Sequence, residues 1–238
     1  MTDKIRDPIQ ERSRETMNRV LAAAAEILET KSFDELSVGE VVRRAGTSVG
    51  AFYGRFGDKE SLLQALDERF FMEFERGIDA LMEPSRWRGK PLAFIVRDLT
   101  RFLVETYGRE RGVLRSLNLK ARLSRDERFR KRENRAWNEL FPHLQRILLA
   151  RGAGIRHPDP ALATRLGFQQ LFFGMREILL WEPLRGSAPY DQELLIGELS
   201  RAFLAYLGAR APRAAARERP RAETDNTTAE SNTRRNER

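Results

Sequence analysis

The 238-residue sequence contains no cysteine, which excludes thiolate metal sites, thiol nucleophiles and any disulfide framework. Histidine is almost as scarce. His143 and His157 are the two present, and neither has carboxylates at ligand or relay spacing. No metal, cofactor or general-base chemistry is expected at them. Long hydrophobic runs are missing too: the apolar stretches are short and broken by charge, so no membrane span is expected. The polar start, Met1 to Pro8, has no apolar run behind it and does not read as a secretory signal. Nucleophile elbows and phosphate-cradling glycine loops are absent, no catalytic constellation remains, and the chain is not expected to be an enzyme. These absences predict a soluble, cytoplasmic, non-catalytic protein with no membrane partner.

Alternating β-branched runs are lacking as well, whereas helical spacing of apolar residues recurs along the chain. Hydrophobic residues make up 41%, enough for a sizeable core. The fold class is therefore all-α. The net charge is +8, but it is unevenly spread. Residues 1–75 hold 11 Lys+Arg against 15 Asp+Glu, a balance of −4. Residues 109–135 hold 11 against 4, or +7, and residues 209–238 hold 8 against 5, or +3. Bulk basicity does not mark a nucleic-acid-binding end, so any such function must rest on local motif chemistry.

A first helix is predicted over about 12–30, with Val20, Leu21, Ala24, Ile27 and Leu28 on one stripe. Short helices follow between Ser37 and about Leu81, and Pro84 with the Ser85–Gly89 stretch marks a break. Pro91 suits the first turn of a helix running to about Tyr107. Gly108 and Gly112 separate it from a helix near Val113–Leu123. Ser124 with Glu127 reads as a capping box for a charged helix to Ala150, kinked at Pro142. Two apolar helices follow, about Asp159–Trp181 and Asp191–Leu207. Three regions result: 1–83 as an N-terminal domain, 84–208 as a helical C-terminal domain and 209–238 as a disordered basic tail.

The informative stretch is Ser37–Leu66. Ser37 and Glu40 have the spacing of a reciprocal capping box for a helix whose inward face is Val38, Val41, Val42 and Ala45. Gly46 supplies the positive φ that a tight turn needs. Thr47 or Ser48 then caps a second short helix. Val49, Phe52 and Phe56, three and four apart, can pack on the first helix. A helix, a glycine turn and a second helix make a helix-turn-helix.

The stretch from Ala45 to Leu63, with Phe52-Tyr53 and Phe56-Gly57-Asp58-Lys59-Glu60, closely resembles the signature of the tetracycline-repressor (TetR) family. Phe33, Ser37–Arg44 and the Ile27-Leu28 end of the first helix match that pattern, so the resemblance covers about residues 12–75. It implies a three-helix DNA-binding domain followed by a helical ligand-binding and dimerisation domain. It also implies a homodimer that binds double-stranded operator DNA and is released by a small-molecule effector, and hence a cytoplasmic location on the nucleoid. The helix from Ser48 to about Gly54 becomes the recognition helix in the major groove. Thr47, Ser48 and Ala51 then sit near phosphates at its N-terminal end, and Val49 and Gly50 face base edges. Tyr53 and Lys59 match positions that contact phosphates. Gly54 and Arg55 stand at variable positions, and Arg55 is within reach of a guanine edge or a phosphate. Arg43 and Arg44 have two readings, DNA contact or complement to the dipole at a helix end. With so few side-chain donors on the recognition helix, base reading leans on thymine methyls, these arginines and DNA shape.

For the C-terminal region the resemblance implies that the two last helices form a four-helix dimer interface and that the middle helices surround a cavity. Phe102, Trp137 and Phe173, with Arg97 or Arg176 as polar anchors, are the candidate ligand contacts; ordinary core or surface roles are the alternative for each. The basic run Arg125–Arg135 reads as a solvated helix face. The competing function is a helical ligand- or partner-binding protein with little DNA binding, which the acidic balance of residues 1–75 favours and the Thr47, Tyr53 and Lys59 set opposes.

Overall fold

The computed structural model describes residues 8–123, 141–150, 154–181 and 190–209, and every regular element among them is helical. The all-α expectation holds. Helix α1 (Pro8–Leu28) buries the expected stripe of Val20, Leu21, Ala24, Ile27 and Leu28. α2 (Val38–Ala45) and α3 (Val49–Phe56) follow, then α4 (Lys59–Met82), whose 24 residues span about 36 Å at 1.5 Å per residue. A 3-10 turn (Pro84–Trp87) occupies the expected break. It is anchored there because the buried Trp87 donates its indole N–H to the Leu81 carbonyl at 2.5 Å.

α5 (Leu92–Arg109) and α6 (Arg111–Leu123) are separated by the single residue Glu110. α7 spans 141–149. α8 (Pro160–Leu180) is N-capped by Asp159, with Pro160 in its first turn, and α9 (Gln192–Tyr206) is N-capped by Asp191. α5 lies against both α8 and α9, and α8 against α9. Gly167 allows that last approach, because a β-carbon there would collide with the Phe203 and Tyr206 rings of α9. The Ser124–Glu127 cap, the beginning of the charged helix, the run 125–135, Trp137 and the chain from 210 lie outside the described residues. The turn preceding Pro142 lies there also. No helix among the described residues is long and apolar enough to cross a membrane.

Two hydrophobic cores form, and they meet inside α4. Leu62, Leu63 and Leu66 belong to an N-terminal core with α1, α2 and α3. Phe70, Phe74, Ile78 and Leu81 belong to a C-terminal core with α5, α8 and α9. The division in packing thus comes before the break at Pro84, because α4 is a continuous rod whose apolar stripe serves one core and then the other.

α6 also serves both cores, which its sequence alone does not convey. Its Val113 and Leu117 are buried in the N-terminal core, while Leu114 faces the C-terminal one. Burying two such side chains is worth roughly 1.5–3 kcal/mol each. Gly112, expected as a helix breaker, is instead inside the first turn of α6. A β-carbon there would stand 2.7 Å from the Glu29 nitrogen and closer still to the Leu28 carbonyl. Glycine is therefore required by the approach of α6 to the end of α1.

Candidate DNA-binding interface

The helix-turn-helix is built from local capping bonds. Ser37 is extended, at φ −107° and ψ 142°, and its hydroxyl accepts the Glu40 N–H at 3.2 Å. The reciprocal half of the expected capping box does not form. The Glu40 carboxylate instead accepts from the Lys31 ammonium at 2.8 and 3.0 Å, which holds its pKa below the ordinary carboxylate range. A full charge nine residues away outcompetes a neutral amide for the same oxygen.

α2 stops at Gly46, whose φ of 61° is left-handed, and the Thr47 N–H then reaches back to the Val42 carbonyl at 3.0 Å. Ser48, rather than Thr47, caps α3: its hydroxyl accepts the Ala51 N–H at 3.1 Å. α3 carries two glycines and is eight residues long, so it is a poor helix in isolation. It is held by this cap and by Phe52 and Phe56, which are buried against the N-terminal core with ring centroids 5.1 Å apart.

The opposite face of α3 is open. Val49 is 49% exposed and Tyr53 50% exposed; Ser48, Gly50 and Gly54 are exposed with them. Val49 therefore does not join Phe52 and Phe56 in the core. A β-carbon at Gly54 would meet nothing, and one at Gly50 would lie 4.0 Å from the Ser48 hydroxyl. Neither glycine is demanded by packing within the chain, and together they leave a thin surface along which another molecule can approach the α3 backbone. Thr47 and Ala51 are half-buried at the edge of this face, and Arg43 and Arg44 are exposed at the end of α2. Arg44 makes a loose ion pair with Glu26 at 3.8 Å, worth little at the surface.

Two basic residues, Arg55 and Lys59, make intramolecular bonds. Arg55 turns toward α1 and donates to the Ser13 hydroxyl at 2.6 Å. Lys59 turns inward as well. Its ammonium lies on the carbonyls of Phe33 at 2.8 Å, Leu36 at 3.1 Å and Asp34 at 3.2 Å, and 4.6 Å from the centre of the Phe33 ring. Arg19, which sequence reasoning did not single out, donates from Nε to the Ala45 carbonyl at 3.2 Å and ties the turn to α1. Nothing in the spacing of Arg19 marks this role, since its partner is 26 residues away.

The candidate ligand residues do not converge on one point. Phe102 packs against Phe74 at 5.7 Å, with its ring edge where a side chain at Gly77 would stand. From Phe74 a chain of ring contacts runs through Tyr107 and Phe172 to Phe173. Phe173 is 44% exposed on α8, with the Arg176 guanidinium 5.0 Å from its ring centre. Arg97 pairs with Glu193 of α9 at 3.2 Å. Trp137 lies outside the described residues. His157 is at the head of α8, where its Nδ1 accepts the Asp159 N–H at 3.1 Å.

A capped helix-turn-helix with an outward second helix, carried on a larger helical domain, defines a two-domain helix-turn-helix protein. Residues 20–66 match the model of the bacterial regulatory proteins of the tetR family. The N-terminal helix-turn-helix region of this chain is thus similar to the DNA-binding domain of that family. It is 38% identical over 50 residues to the HTH-type transcriptional regulator YvdT of Bacillus subtilis, covering 21% of this chain and 26% of that one. It is 38% identical over 64 residues to the HTH-type transcriptional regulator EthR of Mycolicibacterium smegmatis, covering 27% and 30%. The chain thus aligns with less than a third of the length of either relative. The crystal structure of a bacterial regulatory protein in the tetR family from Rhodococcus RHA1 superposes with a TM-score of 0.62 at 18% identity, covering 82% of this chain and 98% of that one. At that identity the likeness establishes a shared overall fold, helical C-terminal domain included.

Proposed function

We propose that this protein is a transcriptional repressor that binds a palindromic double-stranded DNA operator as a homodimer and leaves it when a small-molecule effector binds. The observation that carries the DNA-binding part is the outward face of α3, where Val49, Gly50, Tyr53 and Gly54 are exposed around a capped N-terminus. Helix N-termini present unpaired N–H groups to phosphates. Thr47, Ser48 and Ala51 border that end, Val49 and Gly50 face the base edges, and the Tyr53 hydroxyl reaches a phosphate. Arg43 and Arg44 add charge from the neighbouring helix end. The two relatives named above are both HTH-type transcriptional regulators. The work is done in the cytoplasm, where the DNA is.

Support for a dimer comes from α8. Leu162, Leu166 and Phe173 share one of its faces and are each more than a third exposed, with Leu194 exposed on α9. Water-facing apolar residues at helical spacing on two packed helices suit a two-fold interface. A dimer also presents two copies of α3, which compensates for the few base contacts each makes. Effector release draws support from α6, which packs into both cores and so links any change in the aromatic region around Phe102 and Tyr107 to the position of α1 and α4.

Gel-shift titration against the DNA upstream of the protein's own gene, followed by selection from random duplexes, tests the reading. A selected palindrome bound as a dimer, with affinity falling steeply as salt rises, supports it. Failure to enrich any sequence overturns it in favour of a helical ligand- or partner-binding protein.

A further inference from the structure

We propose that α6 is held at one position along α4 by two ion pairs, Arg69–Glu110 and Glu60–Lys120, and that these four are positioning residues for α3. The proposal rests on the DNA-binding reading above and deepens it. Arg69 meets Glu110 at 3.3 Å, and Lys120 meets Glu60 at 2.6 Å. Glu60 and Arg69 are nine residues apart on α4, or about 14 Å. Glu110, which opens α6, and Lys120 are ten apart, or about 15 Å. The spans match and their order is reversed, so α6 runs along α4 in the opposite sense. Each helix carries its acid first and its base second, and this antiparallel placement satisfies both pairs at once.

Apolar burial alone does not fix that placement. Val113 and Leu117 enter the N-terminal core with Leu62, Leu63 and Leu66, and such contacts have no direction. Nine residues make two and a half turns, so Glu60 and Arg69 lie on opposite flanks of the apolar face of α4. The pairs therefore resist rolling as well as sliding. A slide of one turn, about 5.4 Å, breaks both pairs. In one direction it also carries Glu110 toward Glu73, a like charge that already acts on it. Burial raises the Glu110 pKa against the pull of Arg69, so the pair adds little to stability; a role in selecting one arrangement accounts for it better. The lock spans both domains. Glu110 is the single residue between α5 and α6, and Arg69 lies at the seam of the cores, between Leu66 and Phe70. Glu60 is in the first turn of α4, directly after the Gly57–Asp58 turn that ends α3. The α5–α6 junction is thereby tied to the base of α3.

With no native cysteine, spin labels can be attached at introduced ones alone. Labels at Glu75→Cys on α4 and Leu123→Cys on α6, both exposed positions, report the separation along the two helices by pulsed electron resonance. Excess unlabelled protein keeps one labelled subunit per dimer. Without reversal, one narrow separation is expected. Glu110→Arg should shift or broaden it and weaken binding to the selected operator about tenfold, as when about a tenth of the molecules keep the competent arrangement. Arg69→Glu combined with Glu110→Arg should restore both readings. Lys120→Glu should move the separation as well, and adding Glu60→Lys should restore it. Unchanged separations in the single reversals, or no recovery in the swaps, overturn the lock. A moved separation with unchanged operator affinity overturns the positioning role.

Arg69→Met combined with Glu110→Leu is the second arm if a reversal prevents folding. Replacing a whole buried pair by apolar residues tends to preserve or raise stability. The lock predicts a preserved melting temperature together with a broadened separation and weaker operator binding. A separation as narrow as in the unreversed protein overturns it. If the wild-type protein selects no DNA at all, the repressor reading fails and the link to α3 with it, while the separations still decide whether the pairs hold α6 on α4.

Discussion

The amide of Gly112 donates to the Glu29 carboxylate at 3.0 Å, joining the start of α6 to the end of α1. The same carboxylate accepts from Arg111 Nε at 2.7 Å, and Arg115 donates to the Leu28 carbonyl at 3.1 Å. A β-carbon at Gly112 would meet the Leu28–Glu29 backbone, where no flexible side chain can yield. Gly112→Ala should cost about 1–3 kcal/mol, as overpacked sites do. Gly39→Ala, where a β-carbon meets nothing, should stabilise by about 0.4–1 kcal/mol. Denaturant unfolding of the two variants checks the pair; equal stabilities would remove the α1–α6 approach from the account.

At Gly46 the demand is conformational rather than steric. Its φ is +61° and the space around it is open. Gly46→Ala should therefore cost about 1–2 kcal/mol from the left-handed backbone alone, and Gly46→Asn should recover part of it. Thermal melts of both variants settle the order. If alanine is tolerated as well as asparagine, the turn has another way to form.

Tyr53→Phe removes a single exposed hydroxyl and leaves the Phe52–Tyr53 ring contact intact. Folding should not change. Operator affinity should fall by about 0.5–1.5 kcal/mol per subunit, equally for every sequence tested, because phosphate contacts carry no base information. A neutral hydroxyl releases no counterion, so the salt slope should hold. Loss confined to some sequences would instead place Tyr53 against a base.

Acid should weaken the N-terminal domain through three carboxylates. Glu40 is held below its usual pKa by the Lys31 ammonium, Glu35 by the Ser32 amide and hydroxyl, and Asp58 by the Ser61 hydroxyl and amide. A lowered folded pKa gives stability that is complete above the unfolded value, about 4, and lost as pH falls through the folded values. Glu110 has the opposite sign. Burial raises its pKa against the attraction of Arg69, so its penalty is present above the raised value and is relieved as pH drops through it. Melts between about pH 3 and pH 7 should show a shallower acid limb in Glu40→Gln and a flatter upper limb in Glu110→Gln. An identical profile in both variants would remove these groups from the pH response.

Phe173→Arg tests the dimer face. The new charge would lie beside Arg176 and within the row of Leu162, Leu166 and Phe173. Sedimentation should show monomers, with helical content by circular dichroism retained. Dimers of normal affinity would place the interface elsewhere.

The sequence by itself determined the features whose partners lie within a turn or two. Ser37, Gly46 and Ser48 act through bonds to residues three or four positions away, so their spacing carries the whole mechanism of the caps and the turn. Apolar periodicity likewise determined which face of α1 is buried, because helical geometry alone assigns the faces. What lies across the interface was decided only by tertiary structure. Glu40 chose Lys31 over its own cap, Arg55 found Ser13 at a separation of 42 residues, and Lys59 found a loop 23 to 26 residues back. The seam between the cores within α4 and the sharing of α6 between them belong to the same class. A helix pattern records that a side chain is buried or charged. The choice among competing partners depends on which elements come within about 3 Å of it, and that is settled when the helices pack.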